Sequence, residues 1–124
     1  MTSAQFVPER GRFIYINHSP AEGEEIPSYH PMLVISTRTF SERTGLVIGF
    51  PMTHSARHES NPFAVLVQGK ASEPSSYILA HQPKSFDWRA RQASPHPWGE
   101  AQPGILKKVL ERFDAICGIS DASR

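Results

Sequence analysis

The clearest structural signal in this chain is the run Tyr77-Ile-Leu-Ala-His-Gln-Pro-Lys-Ser-Phe-Asp-Trp-Arg-Ala-Arg91. Its first four residues are apolar, which is typical of a buried strand. Pro83 cannot donate a hydrogen bond to a sheet, so we expect the pairing to break there. After it the sequence alternates, with Phe86, Trp88 and Ala90 on one side and charged residues on the other. This period of two predicts a second strand with one buried face, and two strands around a proline are typical of a small β-barrel.

The rest of the chain consists of short apolar runs between polar, turn-forming stretches. Four more strands are predicted, over residues 12–16, 30–36, 46–53 and 63–67. Gly49 in the interior of one of them predicts a bulge or a close approach of two backbones. Residues 37–44 are predicted to form a short helical insert that is closed by Gly45, and the proline-rich residues 94–103 an irregular linker.

Apolar residues from Ile105 to Ile116 recur at steps of three and four, which predicts an amphipathic helix over residues 104–117. We therefore expect a mainly β fold: a small SH3-like barrel of five to seven strands with a short helical insert and a C-terminal amphipathic helix. A chain of 124 residues with one modest core is expected to be a single domain over residues 1–124.

Composition narrows the classes of function. No apolar run approaches the roughly 20 residues of a membrane helix, and the first twelve residues lack the apolar segment of a secretory signal. The single Cys117 fits a reducing compartment, so we expect a cytoplasmic protein. A net charge of +1 gives no general attraction to nucleic acid, so any site for a polyanion must be a local patch.

Several blocks of the sequence resemble the MazF/PemK family of toxins. The run Leu79-Ala-His-Gln-Pro-Lys-Ser-Phe-Asp-Trp-Arg-Ala-Arg91 is similar to the family's block L-A-D-Q-(V/P)-K-S-x-x-W-R-A-R, with His81 where the family usually has Asp. Further matches, in the family's order, are Val7-Pro-Glu-Arg-Gly11, Gly23-Glu-Glu25, His30-Pro-Met-Leu-Val-Ile-Ser36, Pro51-Met-Thr53 and Asn61-Pro-Phe63. The similarity runs from about residue 7 into the C-terminal helix.

The resemblance implies a toxin-like endoribonuclease that cleaves single-stranded RNA, including mRNA, without a metal or other cofactor. It also implies a symmetric homodimer, a barrel similar to that of the gyrase poison CcdB, and a small cognate antitoxin whose disordered acidic segment lies in the RNA groove.

The family's active-site residues are only partly present. The resemblance places Thr53 at the family's catalytic Thr and Glu25 at its loop Glu, but His30 stands where a strand-start Arg is usual. In the PemK branch an Arg, an Asp and a loop His are assigned instead, and these positions hold Leu79, His81 and Glu24. The cation usually placed over the scissile phosphate is therefore missing from its expected position.

Histidine offers a substitute for this chemistry. Metal-free cleavage needs a base for the 2′-hydroxyl, an acid for the leaving 5′-oxygen and stabilisation of the phosphorane, and histidine, with a pKa of about 6.5, serves as acid or base. We predict Thr53, His30, Glu25 and His81 as catalytic residues, with His54 as another candidate partner of His30. The predicted RNA-binding residues are Glu24, His54, Ser55, Arg57, Lys84 and Arg89.

Each feature also has a simpler explanation. His30 can be a hydrogen-bonded residue at the edge of a strand, and Lys84, Arg89 and Arg91 can be plain surface charges. Arg57 and His58 can contact RNA phosphate or simply face solvent. His54-x-x-x-His58 has the spacing of metal ligands on a helix, but it lies in a polar loop without an intervening Glu, so no metal site is predicted. Trp98 can stack on a base, although its surroundings favour packing against the helix.

Two other functions fit the sequence. The missing Arg at position 30, together with Leu79 and His81, fits a degenerate toxin-fold module that binds RNA or antitoxin without cutting. A CcdB-like inhibitor of topoisomerase would need an exposed C-terminal aromatic run, for which Trp98 is the one support.

Overall fold

The computed structural model describes residues 6–69 and 71–122. Within them the chain forms seven strands: β1 (Arg12–Asn17), β2 (Tyr29–Val34), β3 (Leu46–Thr53), β4 (Ala64–Val67), β5 (Ser76–Leu79), β6 (Lys84–Asp87) and β7 (Ser94–Glu100). The helices are α1 (Arg38–Thr44) and α2 (Pro103–Cys117), with 3₁₀ turns at Ala56–His58 and Ile119–Asp121. The predicted mainly β fold, with a helical insert and a C-terminal helix, is confirmed.

Strand β3 organises the sheet. Every pairing is antiparallel, and the strands follow the order β4-β5-β3-β2-β1-β7, with β6 pairing to β3 as well. The first half of β3 pairs with β6 and its last two residues pair with β5. One strand therefore joins two parts of a curled sheet, and the break at Pro83 separates the two partners β5 and β6.

Close packing along β3 requires a glycine. A Cβ at Gly49 would overlap the carbonyl oxygen of Leu33 and lie 2.7 Å from Cγ of Met32. The predicted close approach of backbones at this position is confirmed, because β2 and β3 pair there, with Val34 opposite Gly49.

The sheet is buried on both faces in its centre. Phe13, Leu33 and Phe50 belong to one apolar cluster, which Val109 of α2 joins. Their sequence neighbours Ile14, Met32 and Val34 belong to a second cluster on the other face, with Trp88. The alternation that a strand imposes thus divides each apolar run between two cores, which explains why the run of β2 is continuously hydrophobic.

Two sequence predictions are wrong in detail. The linker predicted over residues 94–103 contains a strand, β7, which pairs with β1 alone and forms an edge of the sheet. Pro95 and Pro97 are two residues apart, so their missing N–H groups fall on the same side of the strand, and an edge strand tolerates this. Trp98 packs against the first apolar cluster, as its surroundings favoured.

The strand predicted to continue to Ala90 ends at Asp87 instead. Oδ1 of Asp87 accepts hydrogen bonds from the backbone N–H groups of Arg89, at 3.1 Å, and Ala90, at 2.9 Å. These bonds fold the next residues into a turn, so Trp88 is buried and Ala90 is exposed. Across residues 6–69 and 71–122, no helix has both the length and the apolar character that a membrane span needs.

Candidate active site

Charged and histidine side chains gather in a pocket between the loop after β1, the 3₁₀ turn Ala56–His58 and the turn after β5. We call it the Arg57 pocket; it encloses about 500 Å³ and is lined by Glu24, Glu25, Arg57, His58, Ser60, Asn61, His81 and Gln82. It therefore brings together residues that are up to 58 positions apart in the sequence.

Gln82 fixes the loop that forms one wall of this pocket. Its Nε2 donates to the carbonyl oxygen of Glu24 at 2.9 Å, and its Oε1 accepts from the N–H of Ile26 at 3.2 Å. Both polar ends of the amide are thus used to hold the backbone on either side of Glu25, which positions the two acidic side chains of the wall.

Glu25 is an ionised partner of Lys84. Its Oε2 lies 3.7 Å from Nζ of Lys84, and its Oε1 accepts from the N–H of Glu22 at 2.8 Å. The backbone N–H of Glu22 and then the charge of Lys84 lower the pKa of the carboxyl. The side chain of Lys84 is only 13% exposed, so its ammonium group interacts with Glu25 as much as with solvent.

His58 is buried at the end of the 3₁₀ turn and meets a hydrogen-bond donor at each ring nitrogen. Its Nε2 accepts from Nε of Arg57 at 3.3 Å, and its Nδ1 lies 3.3 Å from Nδ2 of Asn61. Burial lowers the pKa of His58 most, followed by the charges of Arg57 and His81, whereas Glu24 raises it. The ring is therefore neutral at pH 7.

His81 provides a second imidazole in the same pocket. Its Nδ1 is buried and has no hydrogen-bond partner among residues 6–69 and 71–122, and its ring packs against Phe63 with 5.5 Å between centroids. Burial lowers the pKa of this histidine. Two histidines beside a guanidinium and two carboxylates form a set that can exchange protons and hold an anion.

A second pocket, the Thr53 pocket, has a different character. It encloses about 360 Å³, and aromatic and histidine rings line much of it: Tyr15, Tyr29, His30, His54, His96 and Trp98, together with Thr53. Tyr15 and Tyr29 stack with 5.6 Å between centroids. Nδ1 of His30 lies 3.2 Å from Oγ of Ser28, and Oγ1 of Thr53 accepts from the N–H of Ser55 at 3.3 Å. Flat rings around a polar floor suit stacked bases.

The sequence-predicted site residues fall into two groups. His30, Thr53 and His54 line the Thr53 pocket, whereas Glu24, Glu25, Arg57 and His81 line the Arg57 pocket, and the two sets of lining residues do not overlap. Residues 53–58 run from one pocket to the other. His54 and His58 line different pockets, and within the described residues no three His, Cys, Asp or Glu side chains are grouped as a metal site requires.

Three predicted RNA-binding residues line neither pocket. Ser55 lies in the segment that joins them, and Lys84 is held by Glu25. The guanidinium of Arg89 stacks on Trp88, with Cζ 4.3 Å from the ring centroid.

Sequence reasoning did not identify the part that His58 and His18 play. The sequence placed His58 in a polar loop, where contact with RNA phosphate or with solvent was favoured over a metal site, and it gave no hint of burial. His18 lies inside a stretch that reads as a polar loop, yet it is 1% exposed and its ring meets Phe86 edge-on at 5.4 Å.

Comparisons with known proteins agree on the family. The model of the PemK-like, MazF-like toxins of type II toxin–antitoxin systems matches residues 9–117. The chain is 29% identical over 115 residues to the endoribonuclease toxin MazF of Escherichia coli, covering 93% of this chain and 98% of that protein.

Solved structures give the same result. The crystal structure of MazF from Deinococcus radiodurans has a TM-score of 0.81 and 29% identity, over 92% of this chain and 99% of that one. The MazE–MazF complex of the same organism has a TM-score of 0.74 and 25% identity, over 92% and 98%. Fold and pockets thus define a toxin of the small curled-barrel type. The chain belongs to the PemK-like, MazF-like toxin family of type II toxin–antitoxin systems.

Proposed function

We propose that this protein is an endoribonuclease toxin that cleaves single-stranded RNA, including mRNA, by metal-free transesterification. The observation that carries the proposal is the Arg57 pocket, where two histidines of lowered pKa, a guanidinium and a carboxylate lie together in a member of this family. The identity to a protein named endoribonuclease toxin MazF supports it.

The RNA strand follows residues 53–58 from one pocket to the other. Bases stack on the rings of the Thr53 pocket, which needs unpaired bases and so selects single strands. Arg57, at the far end of the segment, contacts a phosphate. Ser55 and His54 contact the backbone between the pockets, while Glu24, Lys84 and Arg89 act at the edges of the bound strand.

The predicted catalytic residues keep their proposed roles in two groups. Thr53 and His30 contact the RNA at or beside the bond that is cut, and Glu25 and His81 act from the other pocket. No arginine stands at position 30, 79 or 81, so histidines supply the proton transfers, and Arg57 is a sequence-predicted cation that lines the same pocket as His81.

The proposal extends to partners and location. A small cognate antitoxin neutralises the toxin, as suggested by relatives whose solved structures are MazE–MazF complexes, and an acidic, disordered antitoxin segment occupies the RNA groove. We also propose a homodimer that works in the cytoplasm. The molar mass in solution tests the dimer, which predicts twice the 13.8 kDa of one chain.

Incubating the purified, antitoxin-free protein with a long single-stranded RNA in EDTA tests the function. Discrete fragments are expected, and the same RNA annealed to its complement should resist cleavage. An intact single strand in the presence of folded protein would refute the proposal and favour the degenerate module, which would still retard the RNA in a binding assay.

A further inference from the structure

We propose that His58 is the general base of the cleavage reaction, working with His81 as general acid and with Arg57 as the cation that holds the scissile phosphate. This inference rests on the proposed function and moves the chemical step into the Arg57 pocket. His30 and Thr53 then bind the neighbouring nucleotide. The assignment comes from the placement of three side chains, since the sequence motifs of the family do not contain His58.

The proposed base, acid and cation lie in the same pocket. His58, His81 and Arg57 all line one pocket, while His30 and Thr53 line the other. An acid and a base for transesterification must reach the same phosphodiester from two sides, so they must share a cavity. His81 therefore has His58, and not His30, as a histidine partner in its own pocket.

The hydrogen bonds of His58 are the second argument. A neutral imidazole has one acceptor nitrogen, so the ring can accept from either Arg57 or Asn61 but not from both. Oδ1 of Asn61 accepts from the N–H of Phe63 at 2.9 Å, and this bond orients the amide so that its Nδ2, a donor, faces Nδ1 of His58. Both ring nitrogens of His58 thus face donors, so the one N–H of the neutral ring lacks an acceptor there. A buried histidine with a purely structural role usually has its N–H hydrogen-bonded.

The bond between Arg57 and His58 would break when substrate binds, and this would free His58 to act as a base. In the free protein its Nε donates to Nε2 of His58 and occupies the lone pair that a base needs. Arg57 is exposed, and a phosphate is a stronger acceptor for a guanidinium than a neutral imidazole. Binding of RNA therefore draws Arg57 onto the phosphate and frees Nε2 of His58, while Glu24 stabilises the imidazolium that forms.

His81 is suited to the complementary role. Its Nδ1 is enclosed without a partner, so Nε2 is the nitrogen that meets the ligand. Nε2 of His58 takes the 2′-hydroxyl proton, the 2′-oxygen forms a bond to phosphorus, and the bond from phosphorus to the 5′-oxygen breaks. The His81 imidazolium gives its proton to that oxygen. The products are a 2′,3′-cyclic phosphate and a 5′-hydroxyl, with the charge transferred from His81 to His58.

The decisive comparison is between the wild-type protein, His58→Gln and the control Glu59→Gln, which changes the next residue of the same turn and does not line the pocket. We expect His58→Gln to lose about 100-fold or more in kcat. Its affinity for a fully 2′-O-methylated RNA, which cannot be cut, should stay within about threefold of wild type. Glu59→Gln should cut within about threefold of wild type.

The outcomes separate the two proposals. If the wild-type protein cuts and His58→Gln cuts equally well, His58 is not the base, although the protein is still a ribonuclease. If the folded wild-type protein does not cut, both proposals fail. A thermal melt of each variant shows whether a loss of activity is a loss of folding.

A second measurement decides the case if His58→Gln unfolds. Since the pKa values of both histidines are lowered, kcat/KM of the wild-type protein should be bell-shaped in pH with an optimum below pH 6.5. Arg57 lowers the pKa of His58, so the exposed substitution Arg57→Gln should move the acidic limb upward and weaken RNA binding. A flat profile, or an acidic limb that does not move, would overturn the assignment of His58.

Discussion

His18 shows at the scale of one residue how burial controls a charge. Its backbone N–H donates to the carbonyl oxygen of Ser28 at 2.7 Å, and its ring lies among Phe86, His30, Lys84 and Arg91. Both ring nitrogens are buried, and an interaction with the backbone of His30 only partly opposes the lowering of the pKa. Burial above all, and then the neighbouring positive charges, lower the pKa of His18 from 6.5 to about 4.

This depressed pKa predicts a loss of stability in mild acid. The unfolded chain binds a proton at His18 below about pH 6.5, but the folded chain resists it down to about pH 4. The free energy of unfolding should therefore fall as the pH falls through this window, by at most about 3 kcal/mol from this residue. Urea unfolding at several pH values between 7 and 4 measures it.

His18→Leu provides the matched comparison, because leucine has a similar size, suits a buried position and does not titrate. We expect a flatter dependence of stability on pH in this variant. His54→Leu makes the same replacement at an exposed position and serves as the control for exchanging a histidine for leucine. An unchanged slope in His18→Leu would show that His18 does not cause the acid sensitivity.

The hydroxyl of Thr53 offers a second test. Thr53→Val removes one hydroxyl while keeping the branched shape that β3 needs. If the hydroxyl donates to RNA, cleavage should fall about 10- to 100-fold, the worth of a hydrogen bond to a charged group. The melting temperature should change little, and wild-type cleavage by a folded Thr53→Val protein would remove the hydroxyl from the reaction.

Individual residues were predictable where a motif or a chemical type identified them. Glu25, Thr53 and His81 were selected in this way, and all three line a pocket, while their catalytic roles stay predictions. The burial of His18 and His58 was not predictable, because it depends on which strands come to lie over two polar loops. A polar sequence around a histidine gives no information about that.

Among the strands and helices, the close contact between β2 and β3 predicts that two glycines differ in how much stability their replacement by alanine costs. A Cβ at Gly49 would overlap the Leu33 carbonyl, a backbone atom that cannot move aside. Gly49→Ala should therefore destabilise the fold by about 2 kcal/mol or more. Gly104→Ala, in the first turn of α2 with open space around it, should be neutral or slightly stabilising.

Urea unfolding of the two variants measures the difference. Because both substitutions add the same methyl group to a glycine, the comparison isolates the close approach of the two strands. Equal stability of Gly49→Ala and the wild-type protein would contradict the pairing of β2 with β3 in this register.

Element prediction succeeded where periodicity was clear. The helix predicted over 104–117 is observed as Pro103–Cys117, and the strand predicted over 46–53 is observed with the same bounds. It failed at β7, where prolines hid a strand that needs only one partner, and after Asp87, where a side-chain carboxylate formed a turn. The first failure arises from a long-range pairing with β1 and the second from local hydrogen bonds of the Asp87 side chain, and the hydrophobic period encodes neither.

For the whole molecule, the sequence predicted the family and the fold class but not the division of the site. His30 and His81 appeared as one candidate pair, and the folded chain places them in two pockets. The reason is geometric. Thr53 at the end of β3 lines one pocket with His30 of β2, while residues 57–61 line the other together with the loop after β1. Only the paired strands fix these positions.

The end groups of the RNA fragments test most directly whether the protein cleaves RNA by metal-free transesterification. Wild-type protein is incubated with single-stranded RNA in EDTA, and the fragments are weighed by mass spectrometry. Histidine-driven transesterification predicts 2′,3′-cyclic phosphate on one fragment and 5′-hydroxyl on the next. Fragments ending in 3′-hydroxyl and 5′-phosphate, which arise when water attacks the phosphorus, or an absence of cleavage by the folded protein, would contradict it.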